Sequence, residues 1–590
     1  MRKHRNSVLN AVLLTVVAAV ALTALLRNEV FSGRTNVIDW DGYGYYLYLP
    51  GAFIYGDVER YAFAEDHLET YDVSSDLYQL MPTDNDRRFP IYNAGLAVIW
   101  TPAFLATHAV VKATGCAPAD GMSFPYQLLV VLMGLLFVFL GLLYLKRWLQ
   151  LLGFSNRTVA LALVAIGLAT NLFYYWVEKP AMTHGYLFAL YAAFTYHLTL
   201  LDRFGARKNL LFCGLLAGLM CLVRSSEIVV FALPALVGLR DVATFRRNFV
   251  RTLTILAFAL PVFFLQLLSY KIGTGSWWQN GYAGLGFDWL SPHLYEGFFS
   301  YRRGWLVYTP IMVFALVGIA FVRPAWRWAI LLFTLANVYL LFSWHIWWYG
   351  NTFGSRPVTQ SYALLALPLA AFLSWLLGEG AGKKKGKGAG HKRTVLLAVA
   401  LAPFVFLNLF QHWQYNQRIL PLDFTNQTYY WHVFGKTTLD RADYVYLDTD
   451  EKLPSGEHTV RSFGVVDSLW RVPPKVSREF TNLLEMNIDA ADARPQTWLR
   501  TEFQVDYQGD AFDKWKFPGL VTEHRRGEET LKWVQVNIPR MLREPASGPV
   551  RVNISLPDLR AGDVVKQYVW NLSGDSLVVS QFEVGLLHFD

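Results

Sequence analysis

The chain has 590 residues, of which 54% are hydrophobic, 16% aromatic and only 17% charged, with a formal net charge of +8 and a mean hydropathy of +0.26. That balance excludes an ordinary soluble globular protein of this length and predicts a polytopic membrane protein. The positive charge collects in short connections, which reads as attraction to anionic headgroups; membrane lipids are an expected partner and nucleic acid is not.

In chain order, Met1-Arg-Lys-His-Arg5 precedes an apolar run at 7–26 with no small-residue cleavage site before Arg27. This predicts a retained anchor that starts in the cytoplasm. A first outside loop, 27–124, follows. It contains the acidic, aromatic run Asp39-Trp-Asp41-Gly-Tyr-Gly-Tyr-Tyr46 and an apolar stretch at 93–113. That stretch is expected to lie on the outer membrane surface, because a crossing there would reverse every later loop against the positive-inside rule. Further uncharged runs occur at 125–145, 158–177, 182–201, 252–270, 304–322, 328–344, 359–377 and 394–412, with a shorter pair at 209–223 and 228–239. Runs of this kind suit a hydrocarbon layer of ~30 Å and give about eleven transmembrane helices. Lys146-Arg147, Arg203, Arg207-Lys208, the basic stretch 240–251, Arg323, Arg327 and the Gly- and Lys-rich loop 378–393 then all face the cytoplasm. Cys116, Cys213 and Cys221 imply no disulfide framework.

Two domains are expected: a transmembrane domain at 1–412 and an outside β-sandwich, jelly-roll-like, at 413–590. In the second, hydropathy collapses and period-2 segments recur at 444–447, 503–507, 533–537 and 550–554, a pattern of many short strands. By parity the tail is extracytoplasmic. Its frequent Trp and Tyr suit either a core or a sugar-stacking face.

The candidate chemistry gathers at the outer membrane edge. Carboxylates hemmed in by Tyr and Trp are partly desolvated, which poises a base for proton transfer. Asp41 is favoured as the working group, with Asp39 either a partner or the N-cap of the following helix. Glu178, Lys179 and His184 sit around a very short connection, where ionisable residues at a membrane edge are functional candidates. Arg224 interrupts the short apolar pair and either neutralises Glu227 or binds a phosphate. The run from Trp344 and His345 to Arg356 combines interfacial aromatics, glycines and a cation whose planar fork matches phosphate oxygens. Arg88, Arg302 and Arg303 are further outside cations, and cations on that side suggest an anionic partner. There is no Walker loop and no Cys/His cluster with zinc spacing. The Asp-x-Asp spacing raises a divalent metal, for which two carboxylates alone are too few oxygen ligands; no other cofactor is implied.

Asp39-Trp-Asp41 opening the first outside loop, Arg88-Phe-Pro-Ile-Tyr-Asn93, Glu178-Lys179-Pro180 with Met182-Thr-His184, and Gly350 to Pro357 together resemble the GT-C superfamily of integral-membrane glycosyltransferases. That group contains the protein O-mannosyltransferases and the lipid A aminoarabinose transferase, and the resemblance covers 1–412. It implies a polyprenyl-phosphate-linked sugar donor, a glycan, lipid or protein acceptor, inversion at the anomeric carbon, Asp41 as base, and Arg88, Arg224 and Arg356 as phosphate ligands. The implied location is a bacterial inner membrane with a periplasmic tail. A clear Asp-Glu pair, typical of the mannosyltransferases, is missing. A transporter or flippase is the rival reading, expected to show internal repeats and mid-span charges; a polysaccharide-binding scaffold is another.

Overall fold

A computed structural model describes residues 2–27, 36–282, 285–350, 352–379, 387–421, 425–439, 443, 445–448, 454, 456–466, 469–473, 479–507, 518–542, 547–556, 558–572 and 575–589. The chain divides into two compact units, Met1–Trp413 and Gln414–Asp590.

The first unit is helical, as its apolar runs require. Among the described residues, six helices are long and apolar enough to cross a membrane: Gly95–Thr114, Phe124–Leu151, Val242–Thr274, Pro324–Phe342, Arg356–Leu377 and His391–Asn416. Val242–Thr274 leaves Phe245, Val250, Leu253, Leu260 and Phe264 exposed. Such a bare apolar face is the surface of a helix solvated by lipid. The stretch expected at the outer surface is the single helix Gly95–Thr114, and by length and composition it too is sufficient to cross. The basic loop 378–393 falls partly on 380–386, outside the described residues; from Lys387 the chain is helical to Asn416.

Two of the expected spans are interrupted. The run 158–177 splits into Asn156–Leu168 and Leu172–Val177. At the break the Thr170 hydroxyl bonds back to Ile166 O and accepts from Leu172 N, so a side chain substitutes for ladder hydrogen bonds. The run 304–322 becomes Trp305–Tyr308, Met312–Gly318 and a 3₁₀ turn, Ile319–Phe321, with Pro310 disrupting the helix between the first two. The shorter pair is Lys208–Val223, then an extended Arg224, then the 3₁₀ segment Ser225–Phe231.

Between the first helix, Arg2–Arg27, and Phe124–Leu151 the chain folds into short elements. These include Trp40–Tyr46, Phe63–Tyr71 and a hairpin of β1 (Leu80–Pro82) and β2 (Arg88–Pro90).

The second unit contains two antiparallel sheets. One has the order β5-β10-β7-β8, from Phe480–Asn487, Val564–Asn571, Pro518–Arg526 and Glu529–Asn537. The other has the order β3-β11-β6-β9, from His458–Val466, Leu577–Phe589, Thr497–Tyr507 and Ser547–Leu556, with β4 (Trp470–Val472) also on β11. Alternate residues point inward, as the strand period demands. Val565, Gln567 and Val569 of β10 are buried with Leu499, Phe503 and Val505 of β6. Gln567 is satisfied inside that core, accepting from Thr501 Oγ1 of β6 and donating to Thr522 Oγ1 of β7, which stitches one sheet to the other. The strand expected at 444–447 is instead a helical turn, Val445–Asp448, with Tyr444 outside the described residues. Asp448 accepts from Asn537 N at the end of β8, a tertiary bond that overrides the alternating pattern.

Candidate active site

The helix Trp40–Tyr46 starts with an extended Asp39 in the N-cap position, yet the Asp39 side chain makes no capping bond. Its Oδ2 accepts instead from Lys179 Nζ at 2.6 Å. Trp40 then takes a positive φ of 45°, which costs on the order of 1–3 kcal/mol in a bulky residue. Trp40 N donates to Val73 O and Gln79 Nε2 donates to Trp40 O. These bonds hold the strained turn and bring the 73–79 loop alongside.

Asp41 therefore meets a second set of donors. Its Oδ1 accepts from Tyr78 OH at 2.8 Å and Tyr92 OH at 2.7 Å. Its Oδ2 lies 2.8 Å from Arg356 Nη1, with 16% of the Asp41 side chain and 17% of the Arg356 side chain exposed. Arg356 opens the 3₁₀ turn Arg356–Ser361. Asn171, from the break after Asn156–Leu168, donates to Phe353 O and Ser355 O and accepts from Tyr362 OH. The interruption in one expected span thus anchors the loop that carries Arg356.

Two glycines allow this packing. A Cβ on Gly42 would lie 2.6 Å from the Ala181 side chain, and one on Gly44 would lie 2.3 Å from the Tyr92 ring. Gly44→Ala must push Tyr92 off Asp41. If Asp41 takes part in chemistry, the activity is expected to fall by about one to two orders of magnitude, the cost of misplacing a reacting group. Comparison with Tyr92→Phe, which removes the same bond without the clash, checks this; equal activity of Gly44→Ala and wild type would refute it.

The two carboxylates are driven apart electrostatically. Burial pushes the Asp39 carboxyl above its ordinary 3.8; Lys179 opposes the rise and the Asp41 charge adds to it. Burial also disfavours the Asp41 carboxylate, but Arg356 and the hydroxyls of Tyr92 and Tyr78 outweigh it and hold the group below 3.8. The stability that Asp41 contributes is therefore complete above about pH 4 and is lost as pH falls through its own lower value. Among the described residues no three His, Cys, Asp or Glu side chains converge as a metal site requires; Asp39 and Asp41 face Lys179 and Arg356.

The other expected residues divide into near and far. His184 Nδ1 lies 3.0 Å from Gln360 Oε1, Gln360 Nε2 donates to Glu227 Oε1, and Tyr191 OH donates to Glu227 Oε2. Glu227 is thus held by Gln360 and Tyr191, and no Arg224–Glu227 ion pair forms among the described residues. Arg224 sits 6.0 Å from the Tyr349 ring centroid, and its charge acts with those of Asp41 and Arg356 on Tyr45 and Tyr282. Glu178 pairs with His412 at 3.5 Å. Arg88 pairs with Glu65 on the surface, Arg302 stacks over Trp348 at 4.0 Å, Arg303 donates to Trp348 O, and His345 contacts Asp288 at 3.0 Å. None of these last four contacts Asp41. Tyr78, Gln360 and Tyr191 carry no sequence signal; Tyr92 lies inside the stretch 88–93, where nothing in the sequence marks its hydroxyl.

An apolar helical unit with a buried, cation-paired acidic centre, joined to a unit of two antiparallel sheets, is the class these features define. No protein-family profile and no curated protein sequence matches the chain. Among solved structures it is similar to the apo oligosaccharyltransferase of Archaeoglobus fulgidus, with 12% identity, a TM-score of 0.43, and coverage of 75% of this chain and 60% of that one. The same enzyme tethered to an acceptor peptide containing the NVT sequon gives 12% identity, a TM-score of 0.41, and coverage of 71% and 56%. The arabinosyltransferase EmbB of Mycobacterium smegmatis gives 12% identity, a TM-score of 0.33, and coverage of 97% and 64%. The chain thus spans less than two thirds of the length of each. By name these are sugar transferases, the class that the sequence resembles; at these identities and TM-scores they assign no activity to this chain.

Proposed function

We propose that the protein is a GT-C-type membrane glycosyltransferase that moves a sugar from a polyprenyl-phosphate donor to an acceptor hydroxyl on the extracytoplasmic side, with inversion. The observation that carries this reading is the paired arrangement Asp39–Lys179 and Asp41–Arg356, with contacts of 2.6 and 2.8 Å. One carboxylate serves as proton acceptor and a neighbouring guanidinium faces the leaving phosphate. In a single displacement the acceptor oxygen bonds to the anomeric carbon as its proton passes to a carboxylate. The bond from that carbon to the phosphate oxygen breaks, and the charge left on the phosphate is stabilised by Arg356 and Arg224. Lys179 holds Asp39 in place, and His184, fixed by Gln360, lines the donor side. Arg88 and His345 lie at the surface, Arg302 is half-buried over Trp348 and Arg303 is buried against the Trp348 carbonyl; in this reading none of the four binds the donor, and Glu178 braces the 178–182 turn through His412.

The same reading takes the chain as crossing a bacterial inner membrane about eleven times, with 1–412 as catalytic domain and 413–590 as a periplasmic jelly-roll. The charges gather on segments that flank the apolar helices, which favours a transferase over a transporter, whose charges belong near mid-span. The test is transfer of radiolabelled sugar from a panel of polyprenyl-phosphate donors by the purified protein in lipid, with and without EDTA. Transfer from at least one donor by the wild type, lowered at least about tenfold in Asp41→Asn, is the expected result. Neither transfer nor donor hydrolysis from any donor, with folded protein, would sink the proposal.

A further inference from the structure

The two aspartates open the same loop but are bonded very differently. Asp41 accepts two hydrogen bonds on Oδ1, from Tyr78 and Tyr92, and pairs on Oδ2 with the Arg356 guanidinium. A carboxylate has about four lone-pair positions, so Asp41 is nearly saturated by donors from three separate segments. A proton arriving there would have to compete with a guanidinium and two hydroxyls, all of which favour the ionised form. Asp39 has one side-chain partner among the described residues, Lys179 on Oδ2. No other residue among them donates to its Oδ1, although the N-cap position would ordinarily direct it to the helix backbone. The positive φ at Trp40 separates the two side chains, turning Asp41 to the tyrosines and Asp39 to the 178–182 turn.

We infer that Asp39 is the catalytic base, accepting the acceptor's proton on its open Oδ1, while Asp41 is a positioning residue that fixes Arg356 for the donor phosphate. This assignment rests on the transferase reading and reverses the roles expected from the sequence. The acceptor O–H breaks and its proton goes to Asp39 Oδ1, the oxygen's electron pair forms the new bond to the anomeric carbon, and the polyprenyl phosphate leaves with the pair of the broken C–O bond. Arg356 keeps Nη1 on Asp41 and offers its remaining N–H groups to that phosphate. The direction of the electrostatics agrees, since burial raises Asp39 whereas Arg356 and the tyrosines lower Asp41. The acid limb of activity should therefore lie above the ordinary carboxylate value.

The experiment compares wild type, Asp39→Asn, Asp39→Glu and Asp41→Asn in lipid, measuring kcat, donor KM, the pH profile, and binding of a short polyprenyl monophosphate probe. Asp39→Asn is expected to lose about 10²- to 10⁴-fold in kcat, to keep probe affinity within about threefold, and to lose the acid limb. Asp39→Glu should recover part of the rate with a displaced limb. Asp41→Asn should weaken probe binding about tenfold or more and retain an acid limb, moved downward because the neighbouring negative charge is gone. The assignment is overturned if Asp39→Asn turns over within tenfold of wild type, or if Asp41→Asn loses turnover and the acid limb with probe binding intact. Thermal unfolding of each variant separates misfolding from chemistry; should Asp39→Asn not fold, Asp39→Glu carries the test through its pH limb, and an unmoved limb counts against the base. Wild-type protein that transfers from no donor overturns the transferase reading itself, an outcome distinct from a misplaced base.

Discussion

Replacing Arg356 with methionine should, on the proposed transferase reading, lower transfer by about two to three orders of magnitude, and should destabilise the membrane unit by roughly 3–5 kcal/mol. Both effects come from one side chain. Arg356 is mostly buried and is the cation on Asp41, 2.8 Å away. Methionine keeps much of the apolar stem but leaves a carboxylate with two tyrosine hydroxyls and no counter-charge, and an unpaired buried charge costs more than the pair contributed. The double variant Arg356→Met with Asp41→Asn removes both charges. It should recover most of the thermal stability while transfer stays low, because on the proposed reading the donor phosphate still lacks its cation. A double-mutant cycle on the unfolding midpoint isolates the pair. A single variant that melts with wild type would show that the ion pair does not support the fold.

In the second unit, Asp563→Ala should cost about 3–5 kcal/mol. Asp563 is buried just before β10 and accepts from His524 Nε2 at 2.8 Å, Arg526 Nε at 2.9 Å and the Arg560 backbone at 2.9 Å. It thereby ties β7 to the turn at 560–563, where Gly562 has a positive φ of 88°. Burial alone would raise this carboxyl, but Arg526 and His524 hold it well below the usual range. Its stabilisation is therefore present at neutral pH and lost only in strong acid, below about pH 4. Hydrogen exchange of β7 and β10 in the full chain is the measurement. Protection equal to wild type in Asp563→Ala would refute the claim, whereas Asp563→Asn should lose less because it keeps one acceptor.

The apolar runs and the period-2 tail reveal an α-helical membrane unit followed by a β unit, because both follow from which surfaces must avoid water. Hydropathy did not reveal that 158–177 and 304–322 are broken. A window average cannot see Thr170 and Asn171 exchanging ladder bonds for side-chain bonds, since both sit among apolar neighbours. Asp39, Asp41, Lys179 and Arg356 were legible as charges where charge is costly. Their pairing was not, because it depends on contacts spanning 140 residues for Lys179 with Asp39. Tyr78 was invisible for a simpler reason: one tyrosine in an aromatic-rich loop looks like any other until its hydroxyl has a partner. The strand expected at 444–447 failed because alternation over four residues is too short a signal to resist a single bond such as Asp448 to Asn537 N.

The four-residue ion cluster also bears on which anions the protein ignores. Two carboxylates facing one lysine and one arginine carry no net charge, so the centre has its own internal counter-ions before any substrate arrives. A bare inorganic phosphate meets two ion pairs that are already neutral and gains little from charge alone. It should be a poor inhibitor even where it is abundant. On the proposed reading, tight binding is then reserved for phosphates that bring a lipid tail and a sugar, whose apolar and hydroxyl contacts supply what charge alone does not.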